Sequence, residues 1–155
     1  MKGNEKLLEV LNDLLSDELT AINQYVVHSE MCANWRYDKL HEKAEKRAID
    51  EMKHAEKLIG RILFLEGMPV VSQLKAIQIG QNVEEMHAKD LAAELDAVQV
   101  YNEAIRLAVE VGDNGTRELL DSILEDEEEH LDWLEAQLDQ IKQMGLPIYL
   151  VEQLD

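Results

Sequence analysis

Apolar residues recur at three- and four-residue spacing in four long stretches, each a predicted helix. The first runs from about Glu5 to Asn34 with the stripe Leu7, Leu11, Leu14, Leu15, Ile22, Val26. The second runs from about Lys39 to Glu66, with Asp38 expected as N-cap, Gly67 as the residue just past the end and Pro69 beyond it. The third runs from about Val83 to Val111; Asn82 and Glu85 have the spacing of a capping box, and Gly112 ends it. The fourth runs from about Thr116 to Met144 and stops at Gly145. Pro147 to Gln153 predicts one more short helix with proline at its first position.

Few residues separate helices one and two, and only Gly112 to Gly115 separates three and four, so each pair should form an antiparallel hairpin. The patternless link from Gly67 to Gln81 is long for a connection. It can span the length of a bundle, which would make helices two and three parallel. The expected fold is all-α: a four-helix bundle of two antiparallel hairpins, a long crossover between helices two and three, and a short C-terminal helix. No domain boundary or low-complexity segment interrupts residues 1–155.

Composition agrees with this and narrows the partners. Two prolines, seven glycines and one phenylalanine in 155 residues do not suit an all-β chain. A formal net charge of −18 disfavours nucleic acid and anionic membrane, and it suits a protein that collects cations. No stretch approaches the roughly 20 apolar residues of a membrane span, and Met1-Lys-Gly-Asn shows no apolar signal core. One cysteine, Cys32, excludes an intrachain disulfide and fits a cytoplasmic location; its expected role is helix packing.

The stripes carry an anomaly. Glu18, Glu51, Glu94 and Glu127 each stand where their neighbours along the helix are apolar. Glu51 and Glu127 are each followed, three residues on, by a histidine, His54 and His130. Three residues turn a helix by about 300°, so each Glu and His share a face and can grip one ion. Glu51 lies 33 residues after Glu18, and Glu127 lies 33 after Glu94. The six residues are thus two copies of one three-ligand half-site. Four buried carboxylates facing one another are untenable unless protonated or shared with cations, and two divalent ions balance their charge. Oxygen-rich donors with one imidazole per ion suit iron or manganese; zinc should also bind and would inhibit. Two-electron oxidation by dioxygen or peroxide is natural at such a pair. The bland alternative, solvated surface Glu and His, is hard to reconcile with the equal offsets.

Ala21-Ile-Asn-Gln-Tyr25, Ile49-Asp-Glu-Met-Lys-His-Ala55, Arg61-Ile-Leu-Phe-Leu-Glu-Gly67 and Asp126-Glu-Glu-Glu-His-Leu-Asp-Trp133 resemble the bacterioferritin family, and the likeness covers essentially the whole chain. The resemblance implies a single ferritin-like di-iron domain over 1–155. It further implies a ferroxidase that oxidises Fe²⁺ with O₂ or H₂O₂ at an intrasubunit centre holding two iron ions. The ferric mineral would be stored inside a 24-mer cage built from dimers. Glu18, Glu51, Glu94 and Glu127 would be the carboxylate ligands, Glu51 and Glu127 bridging, with His54 and His130 taking one iron each. Tyr25 would stand beside the centre; read as a residue alone, it is equally a packed core tyrosine. Met52, by itself a packing residue, would ligate a haem b shared between two subunits, in a pocket lined by Leu19, Asn23, Val26 and Ile49. Glu45 departs from the aromatic residue that the family often has near the haem.

Lys46 and Arg47 depart from a histidine and acidic pair that helps some relatives bind an accessory iron on the cage wall. With both cationic and Asp50 left alone, that site is expected to be absent or altered. A second bacterioferritin subunit and a ferredoxin-type reductant are possible partners on the same grounds. His28, His41 and His87 are expected to be structural, and Trp35 and Trp133 packing anchors. Two other readings remain open: a non-storage di-metal oxidase or manganese catalase-like enzyme, and a haem-binding structural cage subunit. Rubrerythrin-like proteins usually add a Cys-x-x-Cys module, and one cysteine excludes that module here.

Overall fold

The computed structural model describes residues 1–155. It consists of five helices in chain order: α1 (Glu5–Asn34), α2 (Asp38–Phe64), α3 (Val83–Glu110), α4 (Asn114–Met144) and the short α5 (Leu146–Val151). Contacts between elements are densest within the hairpins α1–α2 and α3–α4, and α1–α3 and α2–α4 pair the hairpins with each other. Tyr25 of α1 reaches Glu94 of α3 while Tyr101 of α3 reaches Glu18 of α1, so these two helices are antiparallel. Since α2 is also antiparallel to α1, α2 and α3 run parallel, as the long crossover requires.

The ends of the helices differ in detail from the sequence reading. Asp38 is the first residue of α2, not its cap; Tyr37 holds that place without a side-chain bond. Asn114 and Gly115 belong to α4, which Asp113 caps by accepting from the Thr116 N–H. Pro147 is the second residue of α5, after Leu146. Asn82 caps α3 as expected, whereas Glu85 accepts from the Gln81 N–H rather than from that of Asn82. At the end of α2 the left-handed residue is Glu66 (φ 62°), and Gly67 follows it. The Gly67 and Glu66 N–H groups bond Ile62 and Leu63 carbonyls, a Schellman closure. Gly67 sits close against its neighbours instead: a Cβ there would lie 2.7 Å from Leu8 Cδ2, so that leucine would have to shift. Gly112, in contrast, supplies the positive φ (74°) after α3.

Two apolar clusters bracket the middle of the bundle. Thirteen buried residues, among them Leu11, Leu14, Leu58, Ile62, Tyr101, Leu120 and Ile123, fill one end. A smaller cluster at the other end joins Cys32, Leu40, Val83, Met86, Ile141 and Tyr149, so Cys32 does serve helix packing. The crossover between α2 and α3 is laced down by a polar stripe on α1 with four-residue spacing. Asn12 donates to the Met68 carbonyl and accepts from the Val70 N–H. Ser16 donates to the Gln73 carbonyl. Thr20, Gln24 and His28 then accept from the N–H groups of Lys75, Gln78 and Gly80. Each successive turn of α1 therefore holds the next stretch of chain. No helix is long and apolar enough to cross a membrane.

Candidate metal centre

All six predicted donors converge between the two apolar clusters. Glu18, Glu51, His54 and Glu127 place ligand atoms within 4.8 Å of one another, and Glu51, Glu94, Glu127 and His130 do the same. Glu51 and Glu127 belong to both groups, which is the geometry of two adjacent ion positions sharing two carboxylates. None of the six is more than 6% exposed.

Burial on this scale demands partners, and each donor has one unmet atom. Glu18 Oε2, Glu51 Oε1, Glu94 Oε2, Glu127 Oε1 and the Nδ1 atoms of His54 and His130 make no hydrogen bond. Several of them crowd together without hydrogen-bond angles: His54 Nδ1 lies 2.8 Å from Glu127 Oε1, and His130 Nδ1 lies 3.1 Å from Glu51 Oε1. Buried polar atoms are almost always satisfied, so six orphans aimed at one another mark room for ions. Carboxylate oxygen and imidazole nitrogen fit iron or manganese.

The other atom of most donors is firmly held. Tyr25 donates to Glu94 and Tyr101 donates to Glu18, both at 2.5 Å. His54 Nε2 lies 2.7 Å from Asp126 and His130 Nε2 lies 3.0 Å from Asp50. Each imidazole gives its Nε2 proton to an aspartate and turns Nδ1 inward, the arrangement that orients metal-binding histidines. Asp50 is therefore not left alone: it bonds both His130 and Lys46.

Sequence reasoning missed Asp50, Asp126 and Tyr101 as parts of the site. The signal was available, because Asp-Glu-x-x-His occurs twice and both stripe glutamates, Glu18 and Glu94, have a tyrosine seven residues on. All five residues of the first half (Glu18, Tyr25, Asp50, Glu51, His54) recur 76 residues later.

Electrostatics without an ion is strained. Burial first, and then neighbouring carboxylates, push Glu51 and Glu127 well above the usual carboxylate range. Burial also opposes ionisation of Glu94, yet Glu127, His130 and the Tyr25 hydroxyl outweigh it and hold its carboxyl below the ordinary value. Burial disfavours a charged His54, but Glu127 and Glu18 overcome this and push the imidazole up to about 11. The Tyr25 and Tyr101 phenols are driven well above normal by burial and by Glu94 and Glu18, respectively, so both remain donors. Cations seated here would displace the extra protons and supply the missing positive charge.

Arg47 does not lie on an outer or inner wall beside Lys46. It is 2% exposed, bonds Asp90 at 2.8 Å, and stacks its guanidinium 4.4 Å from the Tyr25 ring centroid and 5.6 Å from that of Trp133. Burial opposes ionisation of Asp90, but Arg47 and His28 bring its carboxyl down to about 2. His28 and Gln24 complete this network on Asp90, His41 bonds Ser29, and His87 bonds Tyr149, so all three histidines are structural. Trp133 packs against His87 and Trp35 against Tyr37. Met52, Ile49 and Val26 are all more than 40% exposed, on the outside of α1 and α2; Asn23 is exposed and Leu19 half-buried.

A model of the Ferritin-like domain matches residues 8–144. The bacterioferritin of Brucella melitensis is 43% identical over 94% of this chain and 90% of its own length. That of Mycolicibacterium paratuberculosis is 41% identical over 96% and 94%, and bacterioferritin BfrA of Mycobacterium tuberculosis is 40% identical over the same shares.

Proposed function

The chain belongs to the bacterioferritins of the ferritin-like family and stores iron, and from that premise we propose that Glu18, Glu51, His54, Glu94, Glu127 and His130 form its ferroxidase centre. The observation that carries this is the set of six orphaned donor atoms on these residues. Two ferrous ions are the substrate. Each loses one electron, and the pair reduces dioxygen to peroxide or peroxide to water.

The residues of the chain have separable tasks. Glu51 and Glu127, common to both ligand groups, hold the two ions at a fixed separation. Glu18 with His54, and Glu94 with His130, complete one position each. Tyr25 and Tyr101 anchor the second oxygens of Glu94 and Glu18, so those carboxylates present one oxygen inward. Asp50 and Asp126 fix the imidazole tautomers. The protons held by His54, Glu51 and Glu127 leave as cations arrive, which couples filling of the site to pH.

Haem, assembly and location belong to the same proposal. Met52 would hold a haem b between two copies of the chain, with Leu19, Asn23, Val26 and Ile49 around it. In support, Met52 is 46% exposed beside the similarly exposed Ile49 and Val26, an apolar face suited to a second subunit. A 24-mer cage in the cytoplasm, with a ferredoxin-type reductant for iron release, completes this reading.

Stopped-flow absorbance after mixing Fe²⁺ with aerobic protein tests the centre. Wild type should show a fast ferric rise that Glu18→Ala or Glu94→Ala slows at least about 100-fold, as expected when a metal ligand is lost. Wild-type oxidation no faster than buffer would refute the assignment. A Soret band that disappears in Met52→Leu tests the haem separately.

A further inference from the structure

Beneath the laced crossover, a cavity of about 530 Å³ opens between α1 and α3. Glu18, Glu51, Glu94 and Glu127 form its floor, and Asp17 and Lys75 stand among its other walls. The same four residues that line the cavity carry the orphaned oxygens, so the cavity approaches the unmet donors from the α1–α3 side of the bundle. Lys75 belongs to the crossover. Its backbone N–H is fixed on Thr20 Oγ1 at 2.9 Å, and its Nζ lies 2.5 Å from Asp17 Oδ1 and 3.0 Å from Asp13 Oδ1. Asp13 and Asp17 are one turn apart on α1 and leave enough surface to meet an ion, at 63% and 27% side-chain exposure.

We propose that Lys75 is a specificity-determining residue at a cation entrance, where its ammonium cancels carboxylate charge that would otherwise collect ferrous ions and thereby sets the concentration at which the centre fills. This rests on the reading of the six donors as the iron-oxidising site. The physical argument is one of charge at a mouth. Asp13 and Asp17 without Lys75 are a pair of carboxylates on one helix face, the simplest trap for a dication. With Lys75 between them, their net charge falls to that of one carboxylate and their lone pairs are engaged. Lys89, also on the cavity wall, is tied to the Ile79 carbonyl, and Asp96 faces the cavity from α3. One positive charge roughly 8 Å from a dication in watery surroundings changes its occupancy about fivefold.

The experiment uses the assembled protein and two readouts. Association of Co²⁺ with the centre is followed by its visible ligand-field absorption, and initial ferrous oxidation is measured against Fe²⁺ concentration. Lys75→Met should take up Co²⁺ about fivefold faster at low ionic strength and lower the ferrous KM by a similar factor with kcat unchanged. Added salt should shrink both effects, and Lys75→Arg should match wild type. Asp17→Asn should shift both readouts the opposite way, which keeps the idea testable should Lys75→Met loosen the crossover. Wild-type values in both Lys75→Met and Asp17→Asn would overturn the gate alone, as would equal changes in Lys75→Met and Lys75→Arg, which mean mechanical bracing. A wild type whose centre takes up no Co²⁺ would overturn the site assignment and the gate together.

Discussion

One half of the centre comes from α1 and α2 and the other from α3 and α4, and the two use the same set of five residues in opposite surroundings. They are also interlocked: each tyrosine bonds the other half's glutamate, and each aspartate bonds the other half's histidine. Neither hairpin can assemble its half-site alone. Around Tyr101 lies the apolar cluster with Leu14 and Ile123. Around Tyr25 lie Arg47 and Asp90, which are the residues 76 positions from Ile123 and Leu14 in the repeat. An ion pair thus occupies at one end what an apolar pair occupies at the other. The ligand geometry survives this exchange, so the interlocked donors, rather than the surrounding core, define the site.

The exchange can be broken deliberately, and this should give the largest loss of stability. Arg47→Met leaves Asp90, wholly buried, without its guanidinium partner, and should cost about 3–5 kcal/mol. For a chain of this size that is a fall of roughly 6–20 °C in Tm. Adding Asp90→Leu removes the stranded charge and copies the apolar end, so much of the loss should return. Recovery should stay incomplete, because Gln24 and His28 then lose their shared acceptor. Calorimetry of the metal-free single and double variants decides it. A single variant as stable as wild type would mean that the pair contributes nothing that an uncompensated charge can expose.

The aspartates sharpen the comparison at smaller scale. Asp50 also bonds Lys46 and is 21% exposed, whereas Asp126 is 44% exposed. Burial raises the Asp50 carboxyl, but the His130 and Lys46 partners bring it below its ordinary value. Replacing either with asparagine removes the charge that orients one histidine and should weaken Co²⁺ binding about 10- to 100-fold. The more enclosed Asp50 should show the greater loss. Calorimetric titration of each variant measures this, and equal affinities in Asp50→Asn, Asp126→Asn and wild type would deny both residues an orienting role.

Much of this was legible in the chain because the chemistry lies on helices. Helical spacing places Glu51 with His54 and Glu127 with His130 without any tertiary information. The equal offsets to Glu18 and Glu94 join the two pairs. Asp50 and Asp126 escaped because their partners sit on another helix, and pairing between helices has no local spacing. Arg47 was misplaced for the same reason: a cation beside Lys46 reads as surface until Asp90 is known to face it. The crossover looked patternless because its order is written on α1, in Asn12, Ser16, Thr20, Gln24 and His28. The end of α2 was misassigned since a glutamate took the left-handed position that glycine usually fills.

That stripe is also where the repeat breaks most plainly. The residues 76 positions further on, Ala88, Ala92, Asp96, Val100 and Ala104, are mostly apolar and offer no comparable ladder; α3 holds the crossover only through Lys89 on the Ile79 carbonyl. The lacing therefore predicts an unequal response at equivalent sites. Thr20→Val keeps the shape of the side chain but removes the acceptor for the Lys75 N–H, at a cost of about 1 kcal/mol. The exposed counterpart Asp96→Asn should stay within about 0.5 kcal/mol of wild type. Hydrogen exchange at the Lys75 amide gives the sharper reading. It should quicken in Thr20→Val well before global unfolding and remain unchanged in Asp96→Asn. Matching exchange rates in the two variants would mean that the crossover keeps its place by some means other than the α1 stripe.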